Sequence, residues 1–131
     1  MASSGTKILL PRDINTVWDT IYNFENYKSW RNDLKDLTVV SVLEFIEHTT
    51  DGYYTTYKIT NIEENKILEF DVDNINLKGH WVFTLTAKGK ATELHLKQKM
   101  NAKKIYMQPF VSSYLKNQQV IYFNALKTIL G

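Results

Sequence analysis

The side chains in this 131-residue chain that could do chemistry are few and scattered: three histidines, no cysteine, eight tyrosines, and 14 acids against 16 bases. His48, His80 and His95 stand far apart, and a period-two pattern around the last two turns both toward solvent, so their spacing matches no metal triad. The absence of cysteine removes disulfide, thiol-nucleophile and thiolate-metal chemistry together. No serine stands in a G-x-S-x-G elbow, and the five glycines are isolated and form no phosphate loop. Asp71 and Asp73 share one face of a strand and could divide acid and base roles, but the face reads as wet, a charged outer sheet surface. No cofactor is implied.

Two amides are more informative. Gln98 and Gln118 fall within or beside apolar faces, and a buried amide needs a partner, either a core hydrogen bond or the oxygen of a ligand. Six lysines (Lys88, Lys90, Lys97, Lys99, Lys103 and Lys104) crowd one stretch near Tyr106 and form either a basic patch or a solvated face. The net charge of only +2 is far from that of a dedicated nucleic-acid binder. The 17 aromatics suit either the wall of a cavity or an aromatic-rich core.

These residues need elements to position them. Thr6 to Leu10 reads as a short first strand stopped by Pro11, with residues 1–5 expected to be disordered. Asp13 can cap a helix whose apolar face carries Val17, Trp18, Ile21 and Tyr22. Phe24, Tyr27, Trp30 and Leu34 repeat at steps of three and four, which predicts a second short helix over 24–34. From Leu37 the period becomes two. Phe45, Tyr57, Ile59, Leu68, Phe70, Val72, Trp81, Phe83, Leu85, Leu94, Leu96, Gln98 and Met100 face inward, with turns near Gly52, Glu63 to Lys66, Asp73 to Asn76 and Gly89. The last segment returns to helical spacing. Phe110, Val111, Tyr114, Leu115, Ile121, Tyr122, Ala125, Leu126 and Ile129 form its apolar stripe, and Pro109 in the first turn starts it near Met107 or Gln108. The fold class is α+β: a curved antiparallel sheet of about seven strands, a long carboxy-terminal helix, and two short helices after the first strand, in one domain spanning 1–131.

That order resembles the helix-grip fold of the START-like superfamily, which includes polyketide cyclase/dehydrase-type proteins. The likeness is carried by Pro11, Ile14, Val17, Trp18, Ile21, Phe24, Tyr27 and Trp30 in the opening, by Trp81, Phe83 and Leu85 in a late strand, and by Ala125, Leu126 and Lys127 at the end. The resemblance implies a sheet wrapped around the terminal helix with a cavity between them that takes a hydrophobic small molecule or lipid. Tyr57, Phe70, Trp81, Phe83 and Gln98 on the sheet, with Phe110, Tyr114, Gln118 and Tyr122 on the helix, would then be the ligand-binding wall, and Trp30 would pin the second helix.

Two further readings share this frame. A cyclase, dehydratase or hydrolase in the same cavity would need a tyrosine or a desolvated carboxylate as acid or base. The assigned inward positions hold no Asp, Glu, His or Lys, unless a bulge after Val42 turns Glu44 inward. A protein-interaction module would show instead as a large exposed apolar patch. Apolar runs of a few residues fall short of the ~20 needed to span a bilayer, and Met1 to Lys7 lacks a signal pattern, so a cytoplasmic protein without integral membrane contact is expected.

Overall fold

The computed structural model describes residues 2–131, and the first strand already begins at Ala2. Strand β1 (Ala2–Leu10) pairs along its whole length with the last strand, which corrects the expected disorder of residues 1–5 for all but Met1. The reason is chemical: Ser4, a polar residue outside the predicted strand, points inward and, with Thr6, donates to the Gln119 side chain. Helix α1 (Ile14–Tyr22) follows, and the Asp13 side chain accepts from the Thr16 amide as expected of an N-cap. Val17, Trp18 and Ile21 are its buried face.

The predicted second helix is shorter and tighter than its spacing implies. A 3-10 helix covers only Phe24–Ser29; Leu34 is already the first residue of β2 (Leu34–Ser41). Five more strands follow: β3 (Glu44–Thr49), β4 (Tyr54–Glu63), β5 (Ile67–Asp73), β6 (Leu77–Lys88) and β7 (Ala91–Ala102). All pairs are antiparallel, in the spatial order β1-β7-β6-β5-β4-β3-β2. The β6–β7 hairpin closes on Gly89, whose φ of +62° is the left-handed conformation that a two-residue turn demands. A second 3-10 helix (Ile105–Phe110) holds Pro109, so helix α2 (Val111–Leu130) starts a few residues later than its proline suggests. Gln108 fixes this segment by accepting from the Ala102 amide at 2.8 Å.

The sheet curls around α2, which packs against β1 and β7. Leu10, Val17, Ile21, Leu68, Leu94, Leu96, Leu115 and Leu126 are fully enclosed between them. Beside this aliphatic half lies an aromatic one. Phe45 stacks between Phe24 and Tyr57 with centroids 4.0 and 4.8 Å away, and Tyr57, Phe70, Trp81, Phe83 and Tyr122 continue the array edge to face or tilted. Such pairs add roughly 0.5–1.5 kcal/mol each beyond the area they bury. The architecture is the seven-stranded curved sheet and long terminal helix that the sequence implies.

Candidate functional site

The aromatic array encloses a chamber of only about 10 Å³, lined by Tyr27, Arg31, Phe45, Glu47, Tyr57, Phe70, Trp81, Phe83 and Tyr122. That volume admits about one water-sized atom. A larger opening of about 260 Å³ lies at the end of the barrel where α2 begins, walled by Asp51, Tyr53, Asn74, Asn76, Leu77, Met107, Phe110, Val111 and Tyr114. Its lining is mostly apolar, and the three segments that frame it are the β3–β4 turn, the β5–β6 turn and the 3-10 helix before α2. A wider hollow of about 660 Å³ on the outer sheet surface is lined by Glu44, Lys58, Asp71, Asp73, Lys78 and Lys103 among others. Its lining is charged where that of the mouth is apolar.

The chamber contains an ion pair that sequence reasoning missed. Arg31 and Glu47 retain 7% and 2% of their accessible surface, and Nη1 of the arginine donates to Glu47 at 2.6 Å. Arg31 also donates through Nη2 and Nε to Asp33 at 2.8 and 3.2 Å. Its guanidinium lies 5.5 Å from the centroid of the Tyr27 ring and 5.4 Å from that of Tyr122, so two aromatic faces replace part of its lost hydration. Burial opposes its charge, but Glu47 and Asp33 more than offset this and hold the arginine well above its ordinary pKa. Glu47 is thus an inward-facing acid at a position the sequence reading did not assign, and Arg31 is its basic partner. Glu44, the exception that a bulge after Val42 would have turned inward, lines the outer hollow, because the turn at Val42–Leu43 ends β2 and restarts the alternation.

Tyrosine hydroxyls surround the pair. Burial, followed by the Glu47 carboxylate, raises Tyr57 well above its usual pKa. Burial likewise raises Tyr27, whose hydroxyl donates to the Ile21 carbonyl. Tyr114 is pushed up to about 12, by burial first and then by Asp51 and Glu47. All are neutral hydrogen-bonding groups at physiological pH.

The residues expected to form the wall separate into three groups. Tyr57, Phe70, Trp81, Phe83 and Tyr122 line the chamber. Phe110 and Tyr114 line the mouth, but Phe110 is 69% exposed and does not belong to an inward stripe. Gln98 is fully buried yet belongs elsewhere: its side-chain oxygen accepts from Gln119 Nε2 at 2.8 Å, and the Gln119 oxygen accepts from Ser4 and Thr6. Gln118 is half-buried and lines neither space, so the amide facing Gln98 is one position further along the helix. His80 bridges Asp71 and Glu69 through its two ring nitrogens, and His48 stacks on Tyr54. Among the described residues no group of three or more acids and histidines is placed to hold a metal.

Comparison with solved structures places this geometry. A START superfamily protein from Mycobacterium smegmatis superposes with a TM-score of 0.89 at 13% identity, covering 98% of this chain and 96% of that one. The fold is the START-like helix grip. A conserved protein from Geobacillus kaustophilus shares the helix grip at a TM-score of 0.85 and 13% identity, with 98% and 95% of the two chains covered. An aromatase/cyclase from Streptomyces sp. R1128 does so at a TM-score of 0.88 and 8% identity, covering 98% and 93%. No family model and no curated protein matches the sequence. At such identities the helix grip is shared as architecture, and none of these neighbours assigns a residue's role to this chain. Among the described residues no helix is long and apolar enough to cross a membrane.

Proposed function

We propose that this START-like chain binds a hydrophobic small molecule or lipid, taken up at the mouth beside the first turn of α2. The observation that carries this reading is the mouth itself: an apolar opening of about 260 Å³ with an aromatic side chain, Phe110, held largely in water at its rim. Apolar lining supplies affinity roughly in proportion to the area it covers, and a few polar groups set orientation. Within the mouth, Leu77, Met107, Val111 and Phe110 are the apolar wall and Tyr114 is the polar point nearest the interior. The chamber of about 10 Å³ is too small for a whole ligand, so deeper entry requires Tyr114 and its neighbours to move. A carrier or sensor working in the cytoplasm is the setting this reading assigns.

The test is titration with the neutral fluorescent probe N-phenyl-1-naphthylamine, alongside native mass spectrometry of protein purified from its own cytosol. Stoichiometric probe uptake is expected. Phe110→Asp places a charge in the apolar lining at an exposed position that the fold tolerates, and should weaken uptake by roughly tenfold. Failure to take up the probe, or equal uptake by the variant, would sink the reading.

One observation favours a second reading, an enzyme acting on an apolar substrate in the same chamber. The buried carboxylate of Glu47 lies at the chamber wall with Tyr57, whose raised pKa keeps its hydroxyl protonated and able to donate a hydrogen bond to a substrate oxygen. A ligand extracted and then incubated with fresh protein distinguishes the two: a binder returns it unchanged, whereas an enzyme converts it.

A further inference from the structure

The chamber contains hydrogen-bond donors with nothing to donate to. Trp81 Nε1 is shielded from solvent and has no partner among the described residues, and the Tyr122 hydroxyl, beside that of Tyr27, makes no hydrogen bond of normal geometry; both side chains line the same chamber of about 10 Å³. Arg31 adds a third. A guanidinium carries five N–H groups, and the bonds to Asp33 and Glu47 engage one on Nε, one on Nη1 and two on Nη2. The remaining Nη1 proton has no partner among the described residues. An orphaned buried donor is costly, and two or three around one small space is more than a native core ordinarily retains.

The chemistry of these groups restricts the guest. An indole N–H and a guanidinium N–H can only donate, so the guest atom must accept. One cation faces two carboxylates, Asp33 and Glu47, which leaves the cluster with a net negative charge. An anionic guest would be repelled in a site with little water to screen it. The space fits one oxygen atom and no larger head. We infer that the chamber is the oxygen-reading end of the binding site, selecting neutral apolar ligands that end in a carbonyl-type acceptor and rejecting carboxylates, through donation from Trp81, Tyr122 and Arg31.

This inference rests on the binding reading above and deepens it. The ligand's apolar body lies toward the mouth, whose lining includes Tyr114.

Four probes of one apolar body test it: 2-acetylnaphthalene, 2-ethylnaphthalene, 2-naphthoate and 2-naphthylmethylamine. The ketone should bind roughly tenfold more tightly than the ethyl compound, the worth of satisfying a buried donor, and more tightly than either charged probe. Trp81→Phe and Tyr122→Phe should each bring the ratio of ketone to ethyl-compound affinity down toward one. In ¹H–¹⁵N spectra the indole signal absent from Trp81→Phe should move downfield with the ketone and stay still with the ethyl compound. Equal binding of ketone and ethyl compound overturns the inference but leaves apolar binding standing, as does tightest binding of the carboxylate or an indole signal that never moves. Binding of none of the four overturns both.

Discussion

Arg31 sits in the aromatic half of the core, where the charges it shares with Glu47 have little water to fall back on. Pairing offsets the desolvation of each, so the pair is worth less than its short distance suggests, whereas breaking it exposes the full penalty of one stranded ion. Arg31→Met should therefore cost about 3–5 kcal/mol, read as a lower urea midpoint at unchanged slope. Arg31→Met combined with Glu47→Leu should cost clearly less than the single change; a double variant as unstable as the sum of its parts would contradict the pairing argument. Half of this site is legible in the sequence. Phe45 reads as inward, and two residues on, the same period puts Glu47 on that face. What the pattern lacks is the partner, because Arg31 precedes it by sixteen positions in a segment whose spacing suggests continuing helix. Gln119 escapes for a related reason. A stripe drawn through apolar residues passes over the polar one that is buried, and settles on Gln118 beside it.

At the scale of the element, strands read well where apolar and polar residues alternate, and poorly where inward positions are polar. Strands β4 to β7 keep the predicted face throughout. Strand β1 hides its first half because Ser4 and Thr6 satisfy Gln119 instead of filling the core. Nothing in the sequence pattern marks Gly79, in the inward row of β6 between Leu77 and Trp81, as special. The reason is across the ladder: a Cβ there would fall 2.1 Å from the Lys99 carbonyl oxygen and 2.7 Å from Met100 Cγ. Only glycine allows β6 to approach β7 this closely where Gly79 pairs with Met100. Gly79→Ala should force the strands apart and lower stability by about 1–3 kcal/mol, the usual cost of overpacking. Because Asn76 accepts from the Lys103 amide at the same end of the hairpin, the same variant should also loosen the mouth. Thermal unfolding reads the first effect and probe affinity the second; an alanine variant as stable as the parent would show that β6 and β7 can separate freely.

For the whole molecule, the two ends of α2 are held differently. From Gln119 onward the helix buries Gln119, Tyr122, Phe123, Leu126 and Leu130, and the Leu130 carbonyl accepts from Arg12 Nε at 2.8 Å. Before Gln119 it buries only Val111 and Leu115, and the 3-10 helix that precedes it runs straight into its first turn. That stretch is also the one that borders the mouth. The thin apolar footing of that stretch lowers the free energy of opening there, while the glutamine network and the aliphatic core hold the rest of the helix closed. Amides of residues 112–117 should accordingly exchange with deuterium roughly tenfold faster than those of 120–128. A neutral apolar probe should slow the first group and leave the second unchanged, since a ligand protects only the opening that it must pass through or fill. Uniform protection along α2, unaltered by the probe, would mean that the helix moves as one rigid rod and that access to the chamber lies elsewhere in the barrel. A gradient that the probe removes would make the first two turns of α2 the gate, built from the same Phe110 and Tyr114 that line the mouth.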